Sequence, residues 1–249
     1  MNYINIPEHM PESMTHHTFF CRLYDHELGY IVYLPPDYDT STECYPVCYH
    51  LHGWMGSESS EIQTMHPVCA NRNAITVFPN CSPVIEDREY LPVEEMLIQE
   101  LIPLIDSTYR TKPSRESRSI SGFSMGGGAA MFYGIRHPDL FSGVTAYAGT
   151  YHHYFYYTDF RTVGAPIEKA PEFYQDLLLA DAPLNKNILL QTTQQADILR
   201  SGMQLCMHIG TKDVLYCDNE IFRLHLQKLG IPFEYKTFEG AEHNLAAIL

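Results

Sequence analysis

The chain has 249 residues, 45% of them hydrophobic, a formal net charge of −14 and seven cysteines. This suffices for one large α/β domain with a buried core, and no segment is long and apolar enough to span a membrane. The negative charge excludes nucleic acid and anionic membrane as expected partners. Cys21, Cys44, Cys48, Cys69, Cys81, Cys206 and Cys217 follow neither a disulfide-framework nor a zinc spacing. Reduced thiols in a cytoplasmic protein are expected, because Met1 to Glu8 lacks the basic-then-apolar order of a signal peptide.

Thr15–Tyr24 and Gly29–Leu34 read as two strands of an antiparallel hairpin, and Pro35-Pro36 stops the second. Tyr45–Leu51 and Ala74–Pro79 are short apolar runs suited to buried strands. Val93–Tyr109 reads as a helix, since Met96, Leu97, Leu101, Leu104 and Ile105 recur at three- and four-residue intervals. A strand entering Gly122 and a helix-compatible run over Ala129–Ile135 follow, then a strand over Gly143–Ala148. The segment to about Leu199 has mixed character and is expected to be a lid or substrate-wall insertion around 150–199. Gly202–Ile209 and Pro232–Phe238 are further strands, separated by a helix over Asn219–Leu229. The alternation predicts a single α/β domain over 1–249, with a mostly parallel central sheet, an N-terminal antiparallel hairpin and helices on both faces.

Gly122-Phe123-Ser124-Met125-Gly126 is a G-x-S-x-G pattern placed between a strand and a helix. Such a turn strains the serine backbone and lifts its Oγ clear of the sheet. It also sets the Met125 amide at a helix N-terminus, where a developing oxyanion is favoured. A serine hydroxyl is a weak nucleophile and needs a base, which in turn needs an acid to orient it. In this strand order the partners follow later strands, first the acid and then the histidine. Asp213 follows the strand ending at Ile209, with Asp218 as the weaker alternative, and His243 follows the last strand. His52-Gly53-Trp54-Met55-Gly56 follows the third strand and supplies a candidate second oxyanion donor, the Trp54 amide; the competing reading makes Trp54 a core aromatic beside an ordinary turn. His50 and His52 stand at strand spacing but lack an accompanying carboxylate or cysteine pattern, so they read as structural and no metal is expected.

These motifs resemble the esterase group of α/β-hydrolases that includes esterase D, feruloyl and acetyl-xylan esterases and the mycolyltransferases. The similarity runs from about Leu28 to the C-terminus. It is carried by Tyr49-His50-Leu51-His52-Gly53, Gln99 to Arg110, Ser121 to Gly127, Gly210-Thr211-Lys212-Asp213 and Gly240-Ala241-Glu242-His243. The resemblance implies an α/β-hydrolase fold and hydrolysis of carboxylic esters, with Ser124, Asp213 and His243 in the triad positions and no cofactor. Two departures stand out. Members of the group continue into a helix after the histidine, where this chain has only Asn244 to Leu249, and Asn80 to Pro92 matches neither the glutathione-thioester nor the feruloyl branch.

Tyr151 to Phe160 holds six aromatics in ten residues and follows the strand after the serine helix. Tyr151, Tyr154 and Phe155 are therefore candidates for a wall facing an aromatic acyl group or a sugar ring, or equally for rings packing the insertion on the core. The expected partner is a small-molecule or carbohydrate ester, feruloyl or acetyl. S-formylglutathione hydrolysis, acyl transfer to a sugar hydroxyl and a binding module with a disused triad are the alternatives. The sequence carries no sign of oligomeric state.

Overall fold

The computed structural model describes residues 3–81, 93–151, 160–179 and 187–249. The chain divides into two compact units, Met1–Ser119 and Ile120–Leu249.

In the first unit β1 (Met14–Cys21) and β2 (His26–Tyr33) form the expected antiparallel hairpin, with Met14 opposite Tyr33 and Cys21 opposite His26. β3 (Val47–Leu51) and β4 (Ile75–Pro79) pair in parallel, and the strand order is β1-β2-β4-β3. Both β3 and β4 are buried along their whole length, as continuous apolar runs require when both faces of a sheet are covered. β1 lies at the edge and is buried only at its ends, Met14 and Cys21. α1 (Ile62–Ala70) precedes β4.

The helix expected over Val93–Tyr109 is present as α2, over 93–108, but its centre differs. Met96–Leu101 adopts π geometry between the α-helical segments Val93–Glu95 and Ile102–Thr108. Pro103 accounts for the departure: it has no N–H for the carbonyl one turn back and its ring crowds that carbonyl, which a wider turn relieves.

β5 (Arg118–Phe123) leads into the second unit, where the strand order is β5-β6-β7-β8. β6 (Gly143–Tyr147), β7 (Gln204–Gly210) and β8 (Glu234–Phe238) pair in parallel. Between them run α3 (Met125–Arg136), α4 (Ala170–Leu179), α5 (Ile188–Gln194), α6 (Ala196–Gly202) and α7 (Tyr216–Lys228). α3 is buried from Gly126 to Ile135, and its small residues allow close packing: at Gly134 a β-carbon would collide with the Val144 side chain of β6. α7 carries His225 on its buried face, where Nε2–H donates to the Leu189 carbonyl at 2.7 Å and Nδ1 accepts from the Tyr174 hydroxyl at 3.1 Å. None of the seven cysteines, all of them described residues, is in a disulfide, and Cys21, Cys48, Cys69, Cys81 and Cys217 are buried. Among the described residues no helix is long and apolar enough to cross a membrane.

Candidate active site

Ser124 stands between the end of β5 and the first turn of α3, with φ 56° and ψ −116°. A non-glycine residue held there costs on the order of 1–3 kcal/mol and persists only where its surroundings fix it. The fixing contacts are backbone ones. Ser124 N–H donates to the Tyr147 carbonyl at 2.8 Å, and its own carbonyl accepts from Gly128 N–H and Thr150 N–H, each at 3.0 Å. Close approach fixes the residue type at Gly127, one position beyond the G-x-S-x-G pattern. A β-carbon there would lie 2.9 Å from both the Gly122 and Tyr147 carbonyl oxygens. Met125 is the first residue of the 12-residue α3, so its amide lies at the positive end of the helix dipole.

The structure brings three of the sequence-predicted residues together. His243 Nε2 lies 2.9 Å from Ser124 Oγ, and His243 Nδ1 lies 2.8 Å from Asp213 Oδ2. Asp213 is buried, and its other oxygen, Oδ1, accepts from Leu215 N–H at 2.8 Å. The carboxylate thus requires the proton of a neutral imidazole on Nδ1, leaving Nε2 as the acceptor that faces the serine hydroxyl. Asp218, the alternative acid, is fully buried on α7, and it is Asp213 that bonds His243.

The histidine loop is fastened on both sides. Gly240, at φ 74°, turns the chain after β8, and its N–H donates to Thr211 Oγ1 at 2.8 Å. Lys212 N–H donates to the Ala241 carbonyl at 3.0 Å, tying this loop to the one that carries Asp213. Phe123 stacks on the His243 ring, with centroids 4.8 Å apart and planes at 27°. Sequence reasoning missed that contact, although Phe123 is one of the two variable positions of the motif itself. The residues after His243, where the resemblance leads one to expect a helix, form a 3₁₀ turn over Leu245–Ala247 capped by Asn244, with Leu245 and Ile248 buried.

Trp54 belongs to the first unit, in the turn after β3. Gly56 N–H donates to the Gly53 carbonyl at 3.0 Å, and Met55 sits at φ 59°. The Trp54 side chain is 68% exposed, which removes the reading as a core aromatic. Glu61 braces the turn, one oxygen accepting from Gly53 N–H at 2.8 Å and the other lying 2.7 Å from His50 Nε2. The carboxylate partner of His50 is thus present but eleven positions away, which a search at strand spacing cannot find. His52 Nδ1–H donates to the Gly53 carbonyl at 2.8 Å, and its Nε2 accepts from Cys81 N–H at 2.9 Å. Burial holds the His52 pKa below the ordinary histidine value. Both histidines thus serve the backbone of the turn, and among the described residues no three His, Cys, Asp or Glu side chains gather as a metal site.

Tyr151 requires a correction. It is fully buried, its ring 4.7 Å from that of Phe222 and pressed over Gly149, so it packs the core and cannot form a substrate-facing wall. Tyr154 and Phe155, the other two candidates, lie outside the described residues.

A family model described as "Putative esterase" matches residues 22–199. The chain belongs to that esterase family. Among its esterase relatives, the protein named Esterase Rv1288 of Mycobacterium tuberculosis is 29% identical over 136 residues. The match covers 49% of this chain and 29% of that protein, so it spans less than a third of the relative's length. Two solved structures share the fold. One, titled ferulic acid esterase, has a TM-score of 0.72 at 23% identity and covers 94% of this chain and 92% of its own. The other, an S-formylglutathione hydrolase from Staphylococcus aureus, has a TM-score of 0.74 at 16% identity, covering 94% and 93%. The esterase-family chain therefore has the α/β-hydrolase fold, with the mostly parallel strands and N-terminal antiparallel pair expected from its sequence.

Proposed function

We propose that the chain is a serine carboxylic-ester hydrolase acting through Ser124, His243 and Asp213. The observation that carries this reading is the unbroken relay from Ser124 Oγ to His243 Nε2 at 2.9 Å and from His243 Nδ1 to Asp213 Oδ2 at 2.8 Å. Ser124 Oγ attacks the ester carbonyl carbon while His243 Nε2 takes its proton, and the resulting imidazolium is stabilised by Asp213. The tetrahedral oxyanion accepts from the Met125 amide at the head of α3. The Trp54 amide is assigned as second donor from its place after β3. His243 returns the proton to the leaving alcohol, and the acyl group stays on Ser124. Water, activated by the same imidazole, then attacks the acyl-enzyme and releases the acid.

For the substrate we favour a carbohydrate-linked feruloyl or acetyl ester, supported by the family and by the ferulic acid esterase of the same fold. A thioester of the S-formylglutathione type is the second reading, supported by the hydrolase of that name. The test is turnover of feruloyl-arabinose, acetylated xylo-oligosaccharide and S-formylglutathione by wild type and by Ser124→Ala. Turnover of a feruloyl or acetyl sugar that vanishes in Ser124→Ala supports the favoured reading. Preference for the thioester moves the assignment to the second, and turnover that survives in Ser124→Ala rejects both.

A further inference from the structure

His208 lies on β7, buried, and is bonded to the segment that follows His243. Its Nδ1–H donates to the Ile248 carbonyl at 2.7 Å. Its ring stands edge-on to Tyr147, with centroids 5.1 Å apart, and against Phe238 at 5.4 Å. These two rings fix the direction of the N–H. The backbone carbonyl of His208 accepts from Ala148 N–H at 2.7 Å. Ala148 is held at φ 47° and begins the short loop whose Thr150 N–H bonds the Ser124 carbonyl. One residue of β7 thus contacts both the loop behind the serine and the segment behind the histidine.

The histidine loop has a separate hold on its downstream side. Upstream, Gly240 N–H donates to Thr211 Oγ1 and the Ala241 carbonyl accepts from Lys212 N–H, which ties that side to the loop of Asp213. On the downstream side the 3₁₀ turn is a single turn of three residues, capped locally by Asn244 and unable to fix its own placement. Among the described residues, what ties it to the sheet is burial of Leu245 and Ile248 and a side-chain hydrogen bond from His208.

We propose that His208 is a positioning residue for His243, its hydrogen bond to Ile248 anchoring the C-terminal segment so that the His243 imidazole stays between Ser124 and Asp213. The proposal rests on the ester-hydrolase reading above. A displacement of about 1 Å in such a relay can cost roughly 100-fold in rate, so loss of one anchor has a measurable effect.

The test is a double-mutant cycle between His208→Phe, which keeps a ring but removes the donor, and a chain ended after Ala247, which removes the acceptor. His208→Phe is expected to lower kcat about tenfold with KM changed less than about twofold, the truncation, which also removes the buried Ile248 side chain, to lower it at least as much, and His208→Phe added to the truncation to cost nothing further. The rate at which a fluorophosphonate labels Ser124 should fall in the same proportion. Folded His208→Phe with wild-type kcat, or effects that multiply, would overturn the proposal, since a purely packing role of the ring predicts independence. Should His208→Phe fail to fold, His208→Asn retains an N–H at the Nδ1 position. Folded His208→Asn with kcat within about threefold of wild type supports the anchor, and a larger loss contradicts it. Failure of the underlying reading is separable, because it would show as wild-type protein that does not label at Ser124.

Discussion

Gly210 and Ala241 approach so closely that a β-carbon at position 210 would lie 2.7 Å from the Ala241 carbonyl carbon and collide with its oxygen. Gly210 ends β7 and leads to Asp213, while Ala241 precedes His243, so the two loops of the relay share one backbone contact. Gly210→Ala must push them apart. We expect a loss of about 1–3 kcal/mol in urea unfolding, as for an overpacked core, together with a fall in kcat of at least about tenfold from the displaced relay. Gly230→Ala is the comparison: a β-carbon there meets nothing within 4 Å, and only its positive φ is strained. It should lower stability and leave kcat unchanged. Equal kcat in Gly210→Ala and wild type would show that the contact does not position the relay.

The choice between the two candidate acids is decided by substitution. Asp213→Asn cannot hold the imidazole in the tautomer that leaves Nε2 free to accept, and should lower kcat by about 10³- to 10⁴-fold with little change in KM. Asp218→Asn, on the buried face of α7, should lower kcat less than about tenfold even where it lowers stability. Steady-state kinetics on a p-nitrophenyl ester, with the folded fraction of each variant measured by circular dichroism, reads the difference. The reverse ranking would transfer the role to Asp218.

His225 makes stability depend on pH. Burial pushes its pKa down to about 4 from the ordinary value near 6.5, because the charged form has no solvation between α4, α5 and α7. Above pH 6.5 folded and unfolded chains are both neutral at this site, and its contribution to stability is intact. As pH falls towards 4 the unfolded chain takes up a proton that the folded chain refuses, and that stability is lost. Between pH 7 and pH 5 the loss is about 2 kcal/mol from this group. Urea unfolding at the two pH values should show His225→Gln losing less than wild type by roughly that amount. Equal losses would mean that His225 titrates normally in the folded protein.

Glu61 holds the turn of the first unit through Gly53 and His50. Glu61→Ala leaves a buried amide and a buried imidazole without that acceptor, and should destabilise the protein by about 1–3 kcal/mol. Trp54, the one tryptophan of the chain, sits on the same turn and reports on it directly. Time-resolved fluorescence anisotropy should show faster local motion of the indole in Glu61→Ala than in wild type, and identical decays would show that Glu61 does not order the turn.

Much of the architecture was legible in the sequence because its signals are local. Period and propensity marked the hairpin, the buried runs of β3 and β4 and the alternation that follows, and a glycine-flanked serine between a strand and a helix has few other structural uses. Asp213 and His243 could be named because each follows the end of a strand in a fixed order. What could not be read depends on atoms distant in sequence. The stacking of Phe123 on His243, the close approach at Gly127 and Gly210, and the Glu61 brace exist only once the chain has folded. Tyr151 shows the limit most plainly. A count of aromatic residues does not distinguish a ring facing a cleft from one facing the core, and this ring lies against Phe222. The π segment of α2 was hidden for a different reason, since a hydrophobic repeat broad enough to mark a helix tolerates one widened turn.

The central claim is that Ser124 is a nucleophile activated by His243. Its most direct test is labelling of the folded protein with a fluorophosphonate, followed by peptide mass spectrometry. The account predicts one adduct per chain, located on Ser124, absent in Ser124→Ala and formed at least about 100-fold more slowly in His243→Ala. A folded wild-type protein that takes up no label, or carries it on another residue, would contradict it.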